Sequence, residues 1–336
     1  MIPISFDSAI ERTENRRRHL LLGNGFSIAA WPLFGYGALL GTVVGQAPRI
    51  EELFDRFQTV DFERVARALL EAREVLCVHE GTNSLIEAIE GDYRGLRRLL
   101  VSAVTKIHPA GPREFEEEEY RHAVAFLKRF LGSATDADSL RGRVFTTSYD
   151  LLLYWTLMEG LPQLNCDDGF RSGAWRRRES QNVFYLHGAL HLVGDRGSTR
   201  KRSVEGRLIA NVGKRIARDD VPLFISEGSS QEKRVRIAES DYLTAASECF
   251  AAACDDADAR LFVFGHSLRG EDAHIFEKII EGRIPEVFVS VRPNDDPEAH
   301  AQMGMVTELW MRKRNERSGP PLTVFSYNPA EAAPWG

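Results

Sequence analysis

The pattern of apolar and polar positions changes its period near residue 140. Residues 20–22, LLL, form a short apolar run that stops at Gly23 and reads as a buried strand. Residues 28–44 are interrupted by Trp31-Pro32 and several glycines, which fits a loop leading into a helix. From 49 to 130 the apolar residues recur at spacings of three and four, as in IEELFDRFQTVDFERVARALLEAREVL and SLIEAIEGDYRGLRRLLVSAVTKI. That spacing predicts several amphipathic helices. HPAGPREFEEEEYRHAVAFLKRFL adds a Pro/Gly break and one more helix, whose acidic run reads as a solvated face or, on the other reading, a ligand site.

Beyond 140 the signal is of another kind. RVFTTSYD, QNVFYLHG, VPLFISEG, RLFVFGHS and EVFVSV are short runs rich in Val, Phe and Ile, each ending in small or polar residues. Helical patterns around 242–253 and 271–281 separate some of them, and LTVFSY reads as a last strand before a surface tail. Strands buried on both faces and separated by helices predict an α/β, Rossmann-like, mostly parallel sheet with helices on both faces. The helices before Phe130 are then an insertion after the first strand. The expected organisation is one domain over 1–336 with a discontinuous core, 18–45 and 140–330, and a helical insertion at 49–135.

Composition narrows the class without choosing the function. The chain has 336 residues, of which 43% are apolar, enough for a sizeable core. A formal charge of -6 gives no general attraction to nucleic acid or anionic lipid. Cys77, Cys166, Cys249 and Cys254 are far apart and lack a CxxC pair, which predicts a reduced setting and no structural zinc. The opening MIPISFDSAIERTENRRRH has no apolar core after its basic run, so neither a signal peptide nor a membrane span is expected, and the localisation expected is cytoplasmic.

In a parallel sheet the chemistry collects outside the carboxyl ends of the strands. Gly23 and Gly25 let backbone approach a phosphate or ribose, or simply make a tight turn. GNGFS is neither a GxGxxG fingerprint nor a phosphate loop with its lysine. Thr146, Thr147, Ser148, Tyr149 and Asp150 supply hydroxyls and a carboxylate that hold a ribose or water, or cap the helix that follows. His187, beside Gly188, is a proton acceptor near neutral pH or a structural histidine. Gly265, His266 and Ser267 repeat the strand-to-glycine ending.

In this order the four endings, Gly23-Asn24-Gly25-Phe26-Ser27, Thr146-Thr147-Ser148-Tyr149-Asp150, His187-Gly188 and Gly265-His266-Ser267-Leu268, resemble those of the sirtuin-like NAD-binding family. More narrowly, they resemble its bacterial branch associated with antiphage defence and NAD depletion. The resemblance implies that Gly23 to Ser27 hold phosphate and ribose, with Asn24 where alanine is familiar. It implies that His187 activates a ribose hydroxyl or water, and that Gly265, His266 and Ser267 lie on the adenosine side. Ser148 departs from the Thr-Thr-Asn-Tyr-Asp pattern, whose asparagine positions the nicotinamide ribose. Serine keeps a hydroxyl but has no NH2 donor. A contact of that kind lost from the transition state slows turnover by roughly tenfold to a thousandfold, about 1.4 to 4 kcal/mol.

The paired cysteines of the classical deacylases are absent from the sequence, and Cys249 and Cys254 sit on a predicted helix where packing is the simpler account. Glu227, after the FIS run, is expected to close the same crevice or to cap a helix. The reading that results is an NAD+ glycohydrolase that releases nicotinamide and ADP-ribose in antiviral defence, with NAD as its ligand and no metal. His187, Ser148 and Asp150 would carry the chemistry. A homo-oligomer or a partner ATPase would restrain it. The alternatives are a catalytically weak NAD or ADP-ribose sensor, and a nucleic-acid-associated component built on Arg176, Arg177 and Arg178 with Arg200, Lys201 and Arg202. Direct nucleic-acid recognition is not expected, because no aromatic-basic array of a known module accompanies those residues.

Overall fold

The protein is described by a computed structural model over residues 1–133, 141–195, 197–202, 222–225, 228–292, 297–317 and 319–336. Its strands, in chain order, are β1 (Ile2–Pro3), β2 (Arg17–Leu22), β3 (Val144–Thr146), β4 (Phe170–Arg171), β5 (Ala174–Trp175), β6 (Val183–Tyr185), β7 (Leu192–Asp195), β8 (Ser198–Lys201), β9 (Ala259–Phe264), β10 (Glu286–Ser290) and β11 (Thr323–Tyr327). Seven of them form one sheet in the order β1-β11-β10-β9-β2-β3-β6. Every pairing in that sheet is parallel.

The two-residue alternation of a strand explains why these runs are apolar throughout. Leu20 and Leu22 of β2, in register with Phe262 and Phe264 of β9, join the core under the helices that follow β2. Leu21, Phe145, Phe184, Val263 and Val287 face the opposite side, with Phe250, Phe276 and Trp310. Helices therefore cover both faces. Phe126 and Phe130 of the helix Glu117–Leu131 stack edge-on against Phe264 and Phe262 at 5.4 and 5.3 Å. Across the sheet Phe145 meets Phe250 of the helix Asp241–Cys254 at 4.9 Å.

The helical segment between β2 and β3 contains Gly25–Ala30, Tyr36–Gly41, Pro48–Arg56, Phe62–Cys77, Asn83–Ile107 and Glu117–Leu131. Its acidic run has a local task besides solvation. Glu116 and Glu119 form a reciprocal capping box at the start of Glu117–Leu131, whose first turn is acidic and whose last turn carries Lys128 and Arg129. That arrangement satisfies amide hydrogens and complements the helix dipole at both ends.

Three local expectations change. The strand at 20–22 extends back to Arg17 and is preceded by β1 and the helix Phe6–Arg12. Of the VPLFIS run only residues 222–225 are described, and among them a single bridge joins Phe224 to Gly188, with Ile225 N donating to His187 O at 2.7 Å. The terminal segment is not a surface tail. Trp335 is buried against Phe26 and Phe115 at 5.1 and 5.7 Å, and its indole donates to the Phe26 carbonyl at 2.9 Å. A small antiparallel sheet, β4-β5-β8-β7, packs beside the main one.

His191, at the base of that small sheet, supplies a pH test. It is buried between Tyr154 and Tyr185, with ring centroids at 4.6 and 4.8 Å, and neither ring nitrogen has a hydrogen-bond partner among the described residues. Burial, helped by the charge of Lys201, lowers its pKa to about 3. The unfolded chain therefore takes up a proton first as pH falls below about 6.5, and stability is lost from there down towards the folded pKa. His191→Phe keeps the ring and removes the titration. Urea unfolding at pH 7.5 and pH 5 should show the variant gaining about 2 kcal/mol relative to wild type between the two pH values. Parallel pH dependence of the two proteins would refute this.

Candidate functional site

Counted from β2 along the chain, the strands β6-β3-β2-β9-β10-β11 stand in the order 3-2-1-4-5-6. Connections run one way from β2 to β3 and β6, and the other way from β9 to β10 and β11. The reversal falls between β2 and β9, and ligands of such sheets bind outside the carboxyl ends at that point. The Gly23-Asn24-Gly25 and Gly265-His266-Ser267 endings leave the sheet there.

These two loops interlock. Gly23 N donates to Phe264 O and Gly25 N to Gly265 O, each at 2.8 Å, while Gly265 N donates to Ser290 Oγ at 2.8 Å. A Cβ on Gly23 would lie 2.7 Å from Cα of His266, and one on Gly25 2.5 Å from Cα of Gly265. Gly265 itself has φ +66°, a left-handed value that favours glycine. The glycines thus serve a close approach of backbone to backbone. Phe26 turns into the core against Phe126 and Trp335, and Ser27 is fully buried. Ser267 is exposed on its loop.

At the end of β3 the polar residues bind one another. Thr146 Oγ1 accepts from Ser148 N at 3.0 Å, Thr147 N donates to Leu22 O at 3.0 Å, and the Ser148 hydroxyl donates to the Asp150 carboxylate. Ser148 Oγ also lies 3.4 Å from Asn24 Oδ1, which joins the first two endings. The Asn24 amide nitrogen donates one hydrogen to Phe34 O at 3.2 Å. Asp150 Oδ1 accepts from Leu152 N at 2.7 Å, so the helix-capping role is realised as well. Behind it, His108 Nε2 accepts from Leu151 N at 3.0 Å while Nδ1 meets Pro109 O at 2.9 Å, and burial lowers its pKa.

His187 belongs to a second, buried cluster that sequence reasoning found only in part. Its Nε2 lies 3.1 Å from Nε2 of His274 and 3.7 Å from Oδ1 of Asp272. Asp272 Oδ2 lies 3.2 Å from His266 Nε2, and its Oδ1 accepts from Lys233 Nζ at 2.8 Å. Lys233 also reaches Glu63, at 3.1 Å, on the helix Phe62–Cys77. Burial lowers the pKa of His187 well below 6.5 and that of His274 to about 4. For Asp272, burial opposes the charge, but Lys233 and then His187 outweigh it and hold the carboxyl well below its ordinary range. His187 follows β6 and His266 follows β9, three places apart in the sheet, about 14 Å at ~4.8 Å per strand. Their side chains nevertheless converge on the one carboxylate of Asp272.

Glu227 lies outside the described residues. Arg176, Arg177, Arg178 and Arg200 are exposed on or beside the small sheet, where Arg177 pairs with Glu248 at 2.8 Å. Lys201 turns inward to Asp168, under the ring of Tyr154. One ligand atom each from His187, Asp272 and His274 lies within 4.8 Å of the others, a spacing suited to a metal ion, but the Lys233 ammonium already stands at the same carboxylate. Among the described residues no helix is long and apolar enough to cross a membrane.

The chain belongs to the family of the domain of unknown function DUF4917, which matches residues 20–335. A crystal structure of a Sir2 homolog in complex with NAD is similar at a TM-score of 0.41 and 14% identity, over 93% of this chain and 96% of that chain. A likeness that distant carries no argument. No curated protein matches the sequence.

Proposed function

We propose that this member of the DUF4917 family binds NAD over the ends of β2, β3, β6 and β9 and cleaves its bond between nicotinamide and ribose. The observation that carries the reading is the strand order, which brings the two glycine endings to the switch point and the β3 and β6 endings beside them. That order is the one in which dinucleotides lie across the reversal. Ser267 and the backbone of both glycine loops would meet the adenosine and phosphate portion, with Asn24, Thr147 and Ser148 along the ribose.

The step adds water. As the C1′–N bond breaks, its electron pair returns to the pyridine nitrogen, which leaves as neutral nicotinamide. The water oxygen bonds to C1′ and gives up a proton, for which His187 is the acceptor. His187 is uncharged at neutral pH because burial penalises the imidazolium, so it is free to take that proton. The Asp150 carboxylate, fixed by Ser148 and Leu152, would balance positive charge developing at the ribose carbon. The sirtuin-like resemblance supports a place in antiviral defence, through loss of NAD.

Ser148 favours a second reading, a sensor that binds without turnover, because its hydroxyl is given to Asp150 and it has no NH2 donor of its own. Calorimetry with NAD and chromatography of the products separate the two. Binding with release of nicotinamide and ADP-ribose supports the hydrolase, and binding without release supports the sensor. Absence of both overturns the NAD reading.

A further inference from the structure

We infer that Asp272 and His274 are positioning residues that keep the Nε2 of His187 protonated and leave its Nδ1 as the basic nitrogen. The inference rests on the proposed role of His187 as the proton acceptor and adds two residues to it. Two hydrogen-bonding patterns satisfy the 3.1 Å contact between the two Nε2 atoms. In one, His274 donates and the proton of His187 sits on Nδ1. In the other, His187 donates from Nε2 and its Nδ1 carries a lone pair.

The carboxylate of Asp272 decides between them. Ser230 Oγ accepts from the backbone N–H of His274 at 2.8 Å and lies 3.4 Å from Nδ1 of the same residue. The hydroxyl can accept from a protonated Nδ1 or donate to an unprotonated one, so this contact is compatible with both patterns and the choice falls to Asp272. A proton on His274 Nδ1 leaves its Nε2 as an acceptor. The carboxylate of Asp272, 3.7 Å from His187 Nε2, favours a proton on that nitrogen and disfavours a lone pair there.

Asp272 is held in place for this. His266 Nδ1 accepts from Leu268 N at 3.0 Å, which puts the His266 proton on Nε2, facing Asp272 Oδ2 at 3.2 Å. Lys233 fixes the other oxygen at 2.8 Å and is itself held by Glu63 at 3.1 Å. The charged or titratable groups facing His187 are therefore Asp272, His274, His266 and Lys233, with Glu63 behind. His187 has no further hydrogen-bond partner among the described residues, so Nδ1 is the nitrogen left for a ligand.

The test uses the full chain with 15N-labelled histidine. Nitrogen chemical shifts of ligand-free wild type should report His187 as the Nε2–H tautomer, and an Nδ1–H tautomer there would overturn the inference without any variant. Asp272→Asn should move the population towards Nδ1–H. It should also lower kcat for NAD cleavage by about 100-fold, with the calorimetric Kd for NAD unchanged. A lower kcat with the tautomer unmoved would show a structural role only and would also overturn it. If the tautomers behave as expected while wild type leaves NAD intact, the positioning assignment stands and the hydrolase reading fails.

Discussion

Lys233→Met is expected to cost the fold about 3–5 kcal/mol, the range for removing one partner of a buried ion pair. The ammonium is 1% exposed and sits 2.8 Å from Asp272 and 3.1 Å from Glu63. Burial alone would lower its pKa, yet the two carboxylates outweigh that and raise it, so Lys233 is charged at neutral pH. Methionine fills a similar volume but leaves Asp272, among the described residues, facing the imidazoles of His187 and His266 without the ammonium. Glu63 should suffer less, since burial already raises its pKa to about 7 and it can take up a proton, whereas Asp272 is held ionised. Urea unfolding of Lys233→Met, Glu63→Gln and the double variant would measure the coupling. A Lys233→Met cost below about 1 kcal/mol would place the cluster among ordinary surface pairs and remove it as the link between the helical segment and His187.

Gly265→Ala is the second substitution with a large expected effect, about 3 kcal/mol or more, from two causes. A left-handed backbone costs an L-residue roughly 1–2 kcal/mol, and φ here is +66°. The added Cβ would also lie 2.6 Å from Cα of Gly25 and 2.7 Å from Phe26 N, both backbone atoms that cannot rotate away. Gly37→Ala is the matched control, because nothing lies within 4 Å of a Cβ on that helical residue. It should be neutral or slightly stabilising. Equal urea midpoints for the two variants would contradict the interlock of the β2 and β9 loops.

The legible part of this molecule was the sheet. Runs such as RLFVFGHS announce a strand buried on both faces and the glycine at which it ends, and β9 stops at Phe264 just before Gly265. The strand endings gathered at one edge because parallel strands share a direction, so any polar ending is placed there by topology alone. Less legible was what the glycines do. Sequence associates them with a ligand's approach, whereas the structure shows first the approach of one loop to another, which no single segment reveals.

The cluster around His187 was legible only in its histidines at strand ends. Lys233 sits in QEKRVRI, a charged helical stretch, and Glu63 stands in the first turn of the helix Phe62–Cys77. Their burial depends on packing between helices far apart in the chain. One local signal did exist: in EDAHIF, Asp272 and His274 stand two residues apart at the start of a helix directly after the β9 ending. The small sheet is not legible in the sequence because β4 and β5 are two residues long, too short for any alternation to register.

The central claim is that this crevice hydrolyses NAD through His187. The direct measurement is chromatographic resolution of products after incubating purified protein with excess NAD, beside His187→Ala at equal concentration. Nicotinamide and ADP-ribose formed in equal amounts by wild type and absent with the variant is the predicted result. Equal product formation by both proteins, or intact NAD with wild type, would contradict it.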